Sequence, residues 1–126
     1  MSRMYRMLAL LDVNAALSET DLDFWKEILS RCTERPSDVL EGGDPPSYPE
    51  TVEAYVRKDG ITRFCCDIEM SLSNGYSQDE YAEDFRRALH LLTKDAALDF
   101  KVALNAYYLE HDPDLEVEFD RSELAA

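Results

Sequence analysis

Positive charge is scarce in this chain. Thirteen Lys and Arg stand against twenty-seven Asp and Glu, giving a formal net charge of -14 at pH 7. A surplus of that sign repels a phosphate backbone and an anionic membrane surface over a Debye length, so direct nucleic-acid binding is not expected. Histidine is limited to His90 and His111. Neither has a Cys or carboxylate at metal-ligand spacing, so neither a metal site nor a cofactor is predicted. The cysteines, Cys32, Cys65 and Cys66, are odd in number and two are adjacent. They make no disulfide framework, and a reducing compartment, most simply the cytoplasm, fits them. Long apolar runs are missing as well. The stretch over residues 7–11 is interrupted by Asp12 and Asn14, which reads as neither a signal peptide nor a membrane span. Gly42-Gly43 lacks a strand before it and a helix start after it, so it is no phosphate-binding loop.

What remains is ordinary for a folded protein. Hydrophobic residues make up 45% of 126, enough for one domain with its own core and without disulfides or metal. Residues 4–13 form a nearly continuous apolar run, which predicts a strand at the centre of a sheet. Ser18 offers a helix cap, and Leu22, Trp25, Ile28, Leu29 and Cys32 then recur at helical spacing. Residues 33–50 have no period but carry Pro36, Gly42, Gly43, Pro45, Pro46 and Pro49, which predicts a long irregular loop with Tyr48 as its aromatic contact residue.

Val52, Ala54 and Val56 alternate with polar residues, as do Phe64, Cys66, Ile68, Met70 and Leu72, so two strands flank Lys58-Asp59-Gly60. A two-residue turn would mix polar and apolar residues on each face. A three-residue loop sets Ala54 opposite Phe64 and Val52 opposite Cys66, gathering the apolar set, with Gly60 left-handed. Ser77 caps a second helix with Glu80 at its third position, followed by Tyr81, Phe85, Ala88, Leu89 and Leu92. Phe100, Val102, Leu104, Ala106 and Tyr108 alternate as a fourth strand, and Leu115, Val117 and Phe119 as a further C-terminal edge strand. The order β-α-β-β-α-β is the ferredoxin-like plan: an α+β fold with an antiparallel sheet, two helices on one face and the extra strand at an edge. The plan implies no function.

Chemistry is sparse. Cys65 lies between Arg63, which would lower its pKa, and Asp67, which would raise it, and no histidine is placed to serve it. His111 beside Asp112 reads as a residue of a strand-end turn. Asp112, Asp114 and Glu116 alternate like the opening of a calcium loop, but the Gly and final Glu that such a loop requires are missing. No catalytic residue is assigned, and the chain is not expected to be an enzyme.

Acidic residues fall in three clusters: Asp21, Asp23 and Glu27; Asp79, Glu80, Glu83 and Asp84; and Glu110, Asp112, Asp114, Glu116, Glu118, Asp120 and Glu123. Two readings follow. In the first, Glu110, Asp112, Asp114, Glu116, Glu118 and Asp120 foremost, then Asp79, Glu80 and Glu83, with Tyr48, form the surface of a non-catalytic module, an inhibitor, immunity protein or antitoxin-like factor that occupies a basic site on a partner such as a nuclease. The alternative is a homodimeric protein that binds or converts a small molecule on the open sheet face, with Arg63, Cys65, Asn105 and Tyr107 as its ligand residues.

Overall fold

The computed structural model describes residues 3–43, 48–72, 75–96, 98–108 and 113–120. Alternation decides the strands. In β1 (Arg3–Val13), Met7, Ala9, Leu11 and Val13 are fully buried, while Leu8, Leu10 and Asp12 between them are half-buried. β3 (Thr62–Leu72) repeats the pattern, with Phe64 and Cys66 buried and Cys65 and Asp67 on the other side. Together with β2 (Val52–Val56), β4 (Phe100–Tyr108) and β5 (Pro113–Asp120) they form one antiparallel sheet in the order β2-β3-β1-β4-β5. The most apolar strand is therefore the middle one, and β5 is the added edge.

The β2–β3 hairpin has the expected register, Val52 opposite Cys66 and Ala54 opposite Phe64. Gly60 N–H donates to Arg57 O at 3.0 Å and Arg57 N–H to Ile61 O at 2.7 Å, with Gly60 at φ +84°. A Cβ at Gly60 would meet nothing within 4 Å, so a side chain there is opposed by backbone conformation alone. Gly60→Ala should cost about 1–2 kcal/mol in a urea melt. A loss near zero would show that the left-handed turn is not required.

Helix α1 (Glu19–Glu34) begins where Ser18 Oγ accepts from Asp21 N–H at 3.3 Å, and it buries Trp25, Ile28, Leu29 and Cys32. The segment read from sequence as an irregular loop over 33–50 is largely ordered in its first half. α1 continues through Glu34, and after Arg35 the short helix α2 (Pro36–Leu40) follows, with Val39 only 4% exposed in the core. Proline cannot continue a helix, but at a first helical position its missing N–H would have had no partner anyway, so Pro36 starts a helix instead of merely ending one. Residues 44–47 lie outside the described residues. Tyr48 N–H donates to the buried Ser30 Oγ at 2.8 Å, which ties the chain to α1 before a single 3-10 turn (Pro49–Thr51).

Helix α3 (Gln78–Thr93) starts with the same chemistry, Ser77 Oγ accepting from Glu80 N–H at 3.1 Å, and buries Tyr81, Phe85, Ala88 and Leu89. α1 and α3 cover one sheet face and share one core with Phe64, Cys66, Val102 and Leu104. Trp25 meets the edge of Phe100 with ring centroids 5.4 Å apart. This arrangement is the ferredoxin-like βαββαβ fold, with β5 extending the sheet beyond β4. Among the described residues no helix is long and apolar enough to cross a membrane.

Candidate functional site

The uncovered sheet face is organised by cross-strand register. Leu8 and Leu10 of β1 run down its middle, opposite Asp67 and Cys65 of β3 and opposite Asn105 and Ala103 of β4. Toward one end Asp12 stands opposite Arg63, whose Nε and Nη2 donate to the two carboxylate oxygens at 2.7 and 2.8 Å; Arg57 adds a bond at 3.2 Å. Toward the other end Arg6 grips Asp67 in the same two-pronged way, at 2.8 and 2.6 Å. Arg57 also reaches Asp59 at 3.2 Å. The face is thus a half-buried apolar strip between a cluster of ion pairs at one end and the Arg6–Asp67 pair at the other, and its three arginines, Arg6, Arg57 and Arg63, are already engaged by carboxylates.

These pairs hold both carboxyls below the usual range. The Arg63 hydrogen bond lowers Asp12, with Arg57 adding to it, and the Arg6 hydrogen bond lowers Asp67. A carboxyl whose folded pKa lies below its unfolded value of about 3.9 adds stability above that pH and loses it as pH falls through the lowered value. Asp12→Asn should cost about 1–2 kcal/mol at neutral pH, more than an exposed ion pair because Asp12 is half-buried. It should also shrink the stability difference between about pH 7 and about pH 3 in urea melts. An unchanged difference would mean that the pair contributes nothing.

Of the residues named for a small-molecule site, Arg63, Cys65 and Asn105 do share this face, and Tyr107 stands opposite Arg6 in register. Arg63, however, belongs to Asp12. The Cys65 thiol is pushed up by burial first, then by Asp67 and Glu53, against the opposing pull of Arg6 and Arg63. The thiolate form that a nucleophile needs is disfavoured. Cys32 and Cys66 are fully buried in the core, and burial raises Cys66 to about 11.

The acidic clusters separate by topology. α1 follows the end of β1 and α3 the end of β3, and because β1 and β3 are antiparallel the two helix starts lie at opposite ends of the sheet. Asp21 and Asp23 are at one end. Asp79, Glu80 and Glu83 are at the other, all exposed, where they join the end of α1 and α2 with Glu34, Asp38 and Glu41. Glu83 pairs with Arg86 at 2.5 Å and Asp84 accepts from Tyr76 Oη at 2.7 Å. In the third cluster, Asn105 stands opposite Glu116, Ala103 opposite Glu118 and Lys101 opposite Asp120, so β5 carries its acids along the sheet edge, with Asp114 next to Pro113 at its start. Glu110, Asp112 and Glu123 lie outside the described residues, as does His111. Tyr48 is exposed at the surface.

The acidic end also holds a recess that sequence reasoning missed. It measures about 380 Å³ and is lined by residues of α1, α2, the end of β3 and the start of α3. Tyr81 lines it and donates its buried hydroxyl to the carbonyl of Thr33, which ties α3 to the last turn of α1. Its parts come from four separate segments, so no local spacing announces it. Comparison with family descriptions, curated proteins and solved structures finds no match in any of the three.

Proposed function

We propose that this protein is a non-catalytic binding module whose acidic end occupies a basic site on a partner protein, in the manner of an inhibitor, immunity protein or antitoxin-like factor directed at a nuclease. One observation carries the reading. The arginines of the open face are spent on Asp12, Asp59 and Asp67, whereas Asp79, Glu80 and Glu41 at the end formed by α3, α1 and α2 have no cation bonded to them among the described residues. An excess of one sign at one end, beyond what the Arg86–Glu83 and Arg35–Asp38 pairs offset, steers a basic surface toward it. The formal net charge of -14 adds to that field.

The test is capture from native lysate followed by association kinetics on the captured partner. Raising salt from about 0.01 M to about 0.15 M shortens the Debye length from about 30 to about 8 Å. The on-rate should fall by about tenfold or more while the off-rate changes far less. A partner whose on-rate is flat over that range removes the reading.

A second reading rests on the open face, where the half-buried strip of Leu8 and Leu10 lies between ion pairs that are already satisfied. An apolar centre with a polar rim suits a homodimer through the sheet. Light scattering on wild type and Leu10→Glu separates the two: a dimer that the substitution dissolves favours the sheet, and a monomer in both favours the acidic end.

A further inference from the structure

Glu34 and Asp38 line the recess at the acidic end together with Met70, Leu72 and Tyr76. At about 380 Å³ it falls within the lower part of the ligand-pocket range of about 300–1,000 Å³, with room for a long side chain. Its walls are of two kinds. Met70 and Leu72 supply apolar surface, and Tyr76 supplies an aromatic ring whose hydroxyl is committed to Asp84 at 2.7 Å. The carboxylates are less committed. Asp38 meets Arg35 only at 3.5 Å, with both side chains about half exposed, 45% and 54%. The Glu34 carboxylate has no hydrogen bond or ion pair among the described residues, and burial pushes it up against the weaker opposing pull of Arg35.

A partly desolvated carboxylate at the lip of a recess regains part of what burial cost it when a cation arrives. The surrounding charge rejects anions, since Asp84 and Glu80 lie beside Tyr76 and, among the described residues, Arg35 is the one cation in the wall. A guanidinium suits the chemistry better than an ammonium. Its flat fork bonds a carboxylate through two N–H groups, its plane stacks on an aromatic ring, and its stem lies on apolar surface.

We infer that this recess is a socket for an arginine side chain of the basic partner. The inference rests on the acidic-end reading above and names the group that this end receives. The occupant is held by Glu34 at its head, by the Tyr76 ring along its plane, and by Met70 and Leu72 along its stem.

The test is an NMR titration of the full chain with a short Gly-Ser peptide carrying one central arginine. The same peptide with citrulline, which keeps the shape and removes the charge, is the control, and agmatine represents a free guanidine. The arginine peptide should shift the backbone amides of Ser37, Asp38, Ser71 and Tyr76, with the citrulline peptide about tenfold weaker, as loss of one charge-assisted bond implies. Glu34→Gln, which keeps the side chain's size and removes a charge from a helix C-terminus, should weaken the arginine peptide by a similar factor with no loss of melting temperature. Equal binding of the citrulline peptide, or shifts confined to other residues, overturns the socket. Agmatine binding more tightly than the peptide overturns the partner side chain in favour of a free guanidine. A captured partner that responds to salt but not to Glu34→Gln overturns the socket and leaves the acidic-end reading standing. A peptide that fills the recess while no basic partner is captured overturns the partner's side chain as the occupant, together with the acidic-end reading, and leaves a guanidinium site.

Discussion

Phe64→Ala and Phe85→Ala should each destabilise the protein by about 3–5 kcal/mol. Both side chains are 0% exposed and lie on opposite layers of the same core, Phe64 on β3 beneath the helices and Phe85 on α3 stacked on Tyr81 at 6.5 Å. Phe64 is pinned from both sides in the sheet, with Leu11 opposite it on β1 and Ala54 on β2. The strands cannot close in on a missing ring without breaking two ladders at once, so a cavity term adds to the lost transfer free energy. Phe85 sits on a helix tied to α1 through the Tyr81 hydroxyl, which limits its collapse in the same way. Domains of this size are stable by about 5–15 kcal/mol, so either change consumes a large share. Leu91→Ala is the control: it lies on α3 but is 41% exposed, and it should cost less than about 1 kcal/mol. Denaturant melts of the three variants decide the matter. A loss below about 1 kcal/mol at Phe64 would mean that the assigned sheet faces are wrong.

Legibility in the sequence follows how local each determinant is. Ser18 and Ser77 announce their helices because a cap and its N–H lie three residues apart, and the structure has both bonds. The β2–β3 register was readable because a three-residue loop leaves one pairing that keeps Val52, Ala54, Phe64 and Cys66 together. Pro36 was misread for the opposite reason. The same residue that ends one helix can open the next, and only the burial of Val39 selects between the two. The Asp12–Arg63 and Arg6–Asp67 pairs depend on how β1 falls against β3 across more than fifty residues of chain, and Asp12 had registered only as a break in an apolar run. The placement of the acidic clusters was likewise hidden. Composition counts charges, but the antiparallel pairing of β1 with β3 is what sends the starts of α1 and α3 to opposite ends.

That separation makes the charge testable one end at a time. β1 has eleven residues, so the two ends of the sheet are about 35 Å apart at about 3.3 Å per residue, several Debye lengths at physiological salt. Reversing charge at one end therefore leaves the field at the other nearly intact. Asp79→Lys with Glu41→Lys alters the end that holds the recess. Both residues are exposed, and the Ser77–Glu80 cap survives because neither takes part in it. The helix start loses one favourable dipole contact at Asp79, a cost of about 0.3–1 kcal/mol that leaves the fold intact. Asp23→Lys with Asp99→Lys makes the same change in charge at the opposite end, where both residues are exposed and, among the described residues, Asp99 bonds through its backbone carbonyl alone, accepting from Asn14 N–H at 2.9 Å. At about 0.15 M salt the first pair should slow association with the captured basic partner by about tenfold or more, and the second by less than about threefold. Below about 0.01 M the screening length approaches the distance between the ends, and the two double variants should converge. Off-rates should move little in either, except as far as Asp79 and Glu41 touch the partner directly. Equal slowing by both pairs at physiological salt would show that total charge, not the end built by α1, α2 and α3, brings the partner in.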